Sequence, residues 1–307
     1  MRMFISLSLI VSRAMVACRA LPVLLALLAV CAGGASAQTA PCKPEAAEAP
    51  LPGGSVHYLQ TGEGPRVILL HGLFAQKEQW VPFMCLVAAN GYSVTAPDLP
   101  GFGQSVGFSI QDYRLENQVE LVHALVAGLG IKDFHLAGSS MGGAIAGLYQ
   151  HRYAQEVRTL AFIGAPLGVG DWSPRLEAAL AKGINPFIPV TPEQFDLELH
   201  LLFYQPPAVP AEVVASLVNG YKVNHDFYLA VFNVVAGYSR ALLDAGAGSV
   251  RTLALWGNED GIFDVSGLEK LATLYRGMDA RRVERTGHLP MVEHPEDTAK
   301  SYIQFLR

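Results

Sequence analysis

Ser140 lies at the centre of a Gly-Ser-Ser-Met-Gly pentapeptide, residues 138–142. The apolar residues before it, 134–137, predict a strand, and the small residues after it, 142–149, predict a helix. A serine on a sharp turn from strand to helix needs glycine two positions before and two positions after, because side chains there would collide with the neighbouring elements. The pattern predicts a nucleophilic serine at the carboxyl edge of a sheet.

A serine hydroxyl is a weak nucleophile at neutral pH, so it needs a histidine to take its proton and a carboxylate to orient that histidine. Both follow later in the chain. Asp260 comes after the apolar run 251–256, which predicts a strand, and His288 comes after a short strand near 281–284. The order Ser140, Asp260, His288 predicts a catalytic triad for acyl transfer.

The acid has alternatives in the same region of the predicted sheet. Glu259 and Asp264 share the loop with Asp260, and Asp171 follows the preceding strand, from which a carboxylate can also reach the histidine. Asp260 is preferred among them because of its register at the end of its strand.

An acyl-transfer site also needs two backbone N–H groups aimed at the developing oxyanion. The apolar strand 67–70 ends in His71-Gly72, and the residue after this turn and the residue after the nucleophile usually supply the donors. The predicted donors are the amides of Leu73 and Met141. His71 is interpreted as a structural residue of its own turn, and Asp98 as a residue that shapes its loop.

Together these segments resemble the α/β-hydrolase family over nearly the whole chain from about Val56. The resemblance implies an α/β-hydrolase fold, with a mostly parallel sheet flanked by helices. Residues 113–119 and 134–141 are also similar to bacterial family V lipases and monoacylglycerol lipases. The strings that carry the family resemblance are His71-Gly72, residues 98–105, residues 138–143, residues 256–260 and residues 287–295.

The alternation of strands and helices is interrupted between residues 167 and 249. Thr191 and Gln194 form a capping-box pattern there, with proline at the first helical position, and two further helical stretches follow near 211–218 and 226–243. This predicts a helical cap at 167–249, inserted into a hydrolase core of residues 38–166 and 250–307. The aromatic and aliphatic side chains of the cap favour an acyl chain as substrate.

The remaining histidines give no metal-ligand spacing with a third donor, so no metal and no cofactor are predicted. His135 is interpreted as a buried core residue and His294 as a surface residue. His200 and His225 lie in the predicted cap, where contact with substrate is a minor alternative.

The amino terminus predicts a secretory signal peptide over residues 1–37. A short apolar run at 21–31 follows Arg13 and Arg19 and precedes Ala35-Ser36-Ala37, a cleavage pattern that places the cut after Ala37. A start at Met15 would give a more typical signal. A lipoprotein is disfavoured because Val30 precedes Cys31, and an uncleaved anchor because the run is short for a membrane span.

Removal of this segment leaves 19 basic and 27 acidic residues, a net charge of −8, which argues against nucleic acid as a partner. Membrane contact is expected at most through a lipid substrate. Only Cys42 and Cys85 remain. An exported protein can oxidise them, and a bridge would hold an amino-terminal segment that nothing else is expected to hold, but their spacing leaves the pairing open.

The residues favour an exported hydrolase of carboxylic (acyl) esters. A carbon–carbon bond hydrolase of the ring-cleavage type would share the triad, although such enzymes usually have a longer glycine-rich oxyanion turn than residues 71–75 provide. Dehalogenases and epoxide hydrolases are disfavoured because they need aspartate where Ser140 stands. The motifs leave a perhydrolase open, and an intact triad disfavours a binding protein on an inactive hydrolase scaffold.

Overall fold

The computed structural model describes residues 42–307, and the predicted signal peptide lies outside them. The fold is built on an eight-stranded sheet with the strand order β1-β2-β4-β3-β5-β6-β7-β8. Strands β3 to β8 run parallel, whereas β1 and β2 pair antiparallel with each other and β2 pairs antiparallel with β4. The strands are β1 Glu45–Leu51, β2 Gly54–Thr61, β3 Arg66–Leu70, β4 Ser93–Pro97, β5 Phe134–Ser140, β6 Val157–Pro166, β7 Arg251–Gly257 and β8 Asp279–Val283.

Helices cover both faces of the sheet. The central strands are buried on both sides, as the continuous burial of β5 and β6 shows, so they need apolar helices above and below. The helices are α1 Val81–Ala88, α2 Leu115–Gly128, α3 Met141–Arg152, α4 Pro174–Ala181, α5 Pro192–Leu202, α6 Ala211–Val223, α7 His225–Ala236, α8 Ala241–Ala245, α9 Gly267–Leu274, α10 Pro290–Glu293 and α11 Pro295–Leu306.

The core divides into two clusters, one on each face. Side chains of α1 and α11 share one cluster, which includes Phe83 and Tyr302, and side chains of α2, α3 and α9 share the other, which includes Tyr149. The predicted α/β-hydrolase fold is confirmed, and the strands predicted at 67–70, 134–137, 251–256 and near 281–284 are β3, β5, β7 and β8. Among residues 42–307, no helix is both long enough and apolar enough to cross a membrane.

The expectation that only a disulfide would hold the amino-terminal segment is wrong. Residues Glu45–Leu51 form β1, which pairs along its full length with β2. This strand lacks the apolar pattern of the buried strands because it lies at the edge of the sheet, where most of its side chains are exposed or partly exposed. The Cys42–Cys85 disulfide is also present and joins this edge to α1.

Five helices, α4 to α8, lie between β6 and β7, and we call residues 167–249 the cap. Thr191 caps α5 as predicted, since its hydroxyl accepts a hydrogen bond from the Gln194 N–H. The side chain of Gln194 accepts from the N–H of Val190, one residue earlier than a standard capping box requires. The helical stretch expected at 226–243 is two helices, because α7 ends before Gly237.

Candidate active site

Ser140 occupies the turn between β5 and α3, with backbone angles φ 54° and ψ −121°. Such angles are strained for a residue with a side chain and persist only where the surroundings hold them. A Cβ on Gly138 would lie 2.2 Å from the carbonyl oxygen of Gly142, and one on Gly142 would lie 2.3 Å from that of Leu70. The two glycines therefore permit the close approach of strand, turn and helix that leaves the Ser140 side chain partly exposed.

His288 and Asp260 form a hydrogen-bonded pair near the same sheet edge. The distance from His288 Nδ1 to Asp260 Oδ2 is 2.8 Å, and their side chains are 3% and 0% exposed. The other carboxylate oxygen of Asp260 accepts the N–H groups of Ile262 and Phe263 at 2.8 and 3.0 Å. Because the carboxylate is fixed on both oxygens, His288 is held with Nδ1 towards Asp260 and Nε2 free for a proton transfer.

The carboxyl end of α5 connects the cap to both loops that carry these residues. The N–H of Gly261 donates to the carbonyl of Leu201 at 3.0 Å, and the N–H of His288 donates to that of Leu202 at 2.8 Å. A Cβ on Gly287 would lie 2.5 Å from the Leu202 carbonyl oxygen, so only glycine fits there. The cap thus contributes directly to the position of the acid and the histidine.

The loop after β3 lies against the nucleophile. A Cβ on Gly72 would be 3.1 Å from the Cβ of Ser140. Leu73 and Met141 both line a cavity together with Ser140. Met141 is the first residue of α3, so its N–H has no acceptor within the helix. The two residues predicted to supply the oxyanion donors therefore line the same cavity as the serine.

A buried polar network shapes this oxyanion loop. His71, fully buried, makes a hydrogen bond of 2.8 Å between its Nδ1 and the Gly72 carbonyl, and its Nε2 accepts the N–H of Leu99 at 2.9 Å. Burial lowers the pKa of His71, which keeps the ring neutral. Asp98 accepts the N–H and the ammonium of Lys77, the latter at 2.7 Å. His71 and Asp98 therefore hold the loop, in agreement with their structural interpretation.

The alternative acids lie elsewhere. The exposed carboxylate of Asp171 pairs with Lys270 at 2.8 Å. Asp264 accepts a hydrogen bond from the N–H of Ser266. Glu259 accepts one from the N–H of Thr286, and this bond joins the loop after β7 to the loop that carries His288 without involving the His288 ring. Within the described chain, Asp260 is the carboxylate that meets His288.

The other histidines of the prediction have local partners. His135 is buried and contacts the Thr159 hydroxyl at 2.9 Å, and burial lowers its pKa to about 4. His294 contacts the Arg285 carbonyl, and the exposed His200 contacts its own helix. His225, at the start of α7, neighbours Asp226. None of these four borders the two cavities described below.

Two cavities meet at Ser140. The first, which we call the apolar cavity, is lined by hydrophobic side chains apart from Ser140. The second, which we call the mixed cavity, is larger and is bordered by His288. Side chains along the apolar cavity include Leu73, Met141, Leu167, Trp172, Phe232 and Phe263, and those along the mixed cavity include Gln79, Phe195, Glu198, Leu199, Leu202 and Tyr221.

Gln79 and Glu198 were not predicted from the sequence. Gln79 lies in the short 3₁₀ turn 77–80 and is fully buried. Glu198 lies on α5 between the apolar positions Phe195 and Leu199, and burial raises its pKa to about 8. Glu198 could have been identified from the sequence, because it places a carboxyl group on the apolar face of an amphipathic helix.

Glu198 makes the stability of the protein depend on pH. Its pKa rises from 4.5 to about 8 on folding, so between these values the folded state holds a proton that the unfolded state has lost. The free energy of unfolding therefore falls as the pH rises from about 4.5, and it stops falling once the pH exceeds about 8. We expect the melting temperature of Glu198→Gln to fall less than that of the wild type between pH 5 and 8.

Thermal unfolding followed by circular dichroism at a series of pH values measures this difference. Asp196→Asn changes an exposed carboxylate on the same helix and should follow the wild-type curve. Parallel curves for Glu198→Gln and the wild type would contradict the assignment of the raised pKa.

Comparison with known proteins identifies the family. The family model of the alpha/beta hydrolase fold matches residues 65–197. Monoacylglycerol lipase ABHD6 of Homo sapiens is 32% identical over 260 residues, which cover 80% of this chain and 76% of that protein. Lipase 1 of Psychrobacter immobilis is 28% identical over 262 residues, which cover 82% and 81%.

A solved structure of a membrane phospholipase A, described as a bacterial virulence factor, is similar in sequence and fold. It is 34% identical, superposes with a TM-score of 0.78, and covers 86% of each chain. The relatives above 30% identity span more than two thirds of both chains, and all three proteins are named as lipases or phospholipases. This chain therefore belongs to the α/β-hydrolase family and is a carboxylic ester hydrolase.

Proposed function

We propose that this protein is an exported serine hydrolase that cleaves acyl esters through Ser140, His288 and Asp260. One observation carries the proposal: His288, which is hydrogen-bonded to the buried carboxylate of Asp260, borders the same cavity as Ser140, and Ser140 lies on a strained turn between strand and helix. This is the combination of nucleophile, base and orienting acid that acyl transfer requires.

In the first half of the reaction, Ser140 Oγ attacks the ester carbonyl and its proton passes to His288 Nε2. The N–H groups of Leu73 and Met141 stabilise the negative charge on the carbonyl oxygen. His288 then returns the proton to the alcohol oxygen as the carbon–oxygen bond breaks, which leaves an acyl group on Ser140. In the second half, water attacks the acyl-enzyme carbonyl and gives a proton to His288. His288 then passes this proton to Ser140 Oγ as the bond between Oγ and the acyl carbon breaks, which releases the acid and the free serine.

The two cavities suggest an orientation for the ester. The leaving alcohol must receive its proton from His288, which borders the mixed cavity and not the apolar cavity. The alcohol part therefore lies in the mixed cavity. The acyl chain then occupies the apolar cavity, whose hydrophobic lining excludes water and suits a hydrocarbon.

Export is supported by the amino-terminal sequence and by the disulfide. The pattern at residues 1–37 is typical of a cleavable signal peptide, and the Cys42–Cys85 bond belongs to the part of the chain that would remain. Disulfides persist mainly in oxidising compartments such as the bacterial periplasm or the extracellular space.

The ring-cleavage alternative shares the triad, so the substrate decides between the two functions. The names of the similar proteins, monoacylglycerol lipase, lipase and phospholipase A, favour an ester. Hydrolysis of p-nitrophenyl esters from acetate to palmitate, beside a vinylogous diketone, tests this directly. Turnover of the diketone without ester cleavage would contradict the proposal.

We expect kcat/KM for these esters to rise with acyl length and then stop rising at short to medium chains. Each buried CH₂ contributes about 0.8 kcal/mol, or roughly fourfold in kcat/KM, until the cavity is filled. Phe232 on α7 lines the apolar cavity and contacts Phe187. Phe232→Ala should therefore move the optimum to longer acyl chains, measured as the kcat/KM profile across the ester series.

Phe203→Ala is the matched control. Phe203 is 5% exposed and packs in the core cluster without lining either cavity, so its loss should lower the melting temperature and leave the optimum unchanged. Phe227 on α7 also lies outside both cavities and contacts Tyr113 and Tyr228. A flat chain-length profile in the wild type would count against an acyl cavity of limited size.

A further inference from the structure

The mixed cavity contains polar atoms that the protein itself does not satisfy. Both side-chain amide atoms of Gln79, which is 0% exposed, have no hydrogen-bond partner within residues 42–307, and the same holds for Glu198 Oε2, which is shielded from solvent. A buried polar group without a partner costs about 1–3 kcal/mol, so folded proteins rarely keep one. Two such groups in one cavity indicate a site for a ligand with polar groups of its own.

The charges around Gln79 and Glu198 indicate that the ligand is uncharged. With its raised pKa, Glu198 is mostly protonated at neutral pH, so its carboxyl can donate and accept a hydrogen bond. The Gln79 amide can do the same. His288 aside, the described side chains that line the mixed cavity include no cation. An uncharged hydroxyl complements such groups, whereas an anion would meet no opposite charge and would lie near a carboxyl group.

We propose that Gln79 and Glu198 form a subsite that binds free hydroxyl groups on the alcohol part of the ester. The inference rests on the proposed function, because His288 and its proton place the alcohol in this cavity. The two residues reach it from different elements, Gln79 from the turn after the oxyanion loop and Glu198 from α5 of the cap. Among acyl esters, this subsite selects those whose alcohol part carries further uncharged hydroxyl groups.

The test compares two esters with the same acyl group, 1-butyrylglycerol and propyl butyrate, which differ by two hydroxyl groups. We expect wild-type kcat/KM to favour the glyceryl ester by about tenfold, because each hydrogen bond contributes roughly 2- to 13-fold. Glu198→Leu and Gln79→Leu should each lower this preference by about fivefold. The measured quantity is the ratio of the two kcat/KM values, so a general loss of activity cancels.

Two further variants separate recognition from packing. Glu198→Gln keeps an uncharged group that donates and accepts hydrogen bonds, and it should retain most of the preference. Asp196→Asn makes the corresponding change at an exposed position of the same helix and should leave the ratio unchanged. A third ester, 1-butyrylglycerol 3-phosphate, should be hydrolysed at least tenfold more slowly than 1-butyrylglycerol, because the cavity offers its charge no partner.

Each outcome bears on the proposal. A wild-type ratio near one would overturn it whether or not the leucine variants fold. Equal losses on both esters in those variants would overturn it as well, since they would show a structural role. Failure of the wild type to hydrolyse either butyrate ester would instead contradict the proposed ester hydrolysis, so the two failures are distinguishable.

Discussion

Ser140→Ala should lower kcat by at least about 10³-fold while the protein remains folded. The members of a triad act as a unit, and the activity that remains without the attacking oxygen comes only from binding and the oxyanion donors. Alanine differs from serine by one oxygen and keeps the Cβ, so the strained turn between β5 and α3 should persist. Steady-state hydrolysis of a p-nitrophenyl ester gives kcat, and circular dichroism with thermal unfolding confirms the fold.

Ser139→Ala is the matched control. The Ser139 side chain is fully buried, and its hydroxyl has no hydrogen-bond partner within residues 42–307, so alanine removes a polar group that the core does not satisfy. We expect its kcat to stay within a few fold of the wild type. If Ser139→Ala lost activity and Ser140→Ala kept it, the register of the turn would be assigned to the wrong serine.

Asp260→Asn should lower kcat by about 10⁴-fold. One oxygen of Asp260 accepts the N–H groups of Ile262 and Phe263, and an asparagine can keep its oxygen at that position. Its NH₂ group would then face His288 Nδ1. Because an NH₂ group can only donate a hydrogen bond, Nδ1 must accept that bond and cannot carry a proton. The proton moves to Nε2, where it blocks the nitrogen that has to take the proton of Ser140.

Asp171→Asn makes the same chemical change at an exposed carboxylate that pairs with Lys270. Surface ion pairs contribute about 0–1 kcal/mol to stability, so this variant should be folded and active. Normal activity in Asp260→Asn together with loss in Asp171→Asn would move the catalytic acid to the earlier loop. The pH profile of kcat/KM for both variants would show whether His288 still acts as the base.

The elements around Ser140, Asp260 and His288 could be predicted because their signals are local. Parallel strands buried on both faces give continuous apolar runs, and their carboxyl ends mark where functional loops begin. The turn at Ser140 has no room for side chains at positions 138 and 142, and this requirement for glycine can be recognised without knowing the rest of the fold. The order of strands in the sheet could not be obtained this way, because it depends on contacts between distant segments.

The edge strand β1 and the subsite residues escaped prediction for related reasons. β1 is exposed, so burial did not select an alternating apolar pattern, and its pairing with β2 becomes visible only in three dimensions. Gln79 has no distinctive neighbours in the sequence, and its importance comes from a cavity formed jointly with α5, more than 100 residues later. Local patterns identify the chemistry of this enzyme better than they identify its selectivity.

The hydrogen bonds that Gly261 and His288 donate to the end of α5 limit how caps can be exchanged between related enzymes. The carbonyls of Leu201 and Leu202 belong to the cap in sequence but support the acid and the base in space. A transplanted cap that ends its helix one residue earlier or later would therefore impair catalysis, even with a well-formed substrate cavity. Selectivity should be altered through α6 and α7, which lie farther along the chain, while the last turn of α5 is retained with the core.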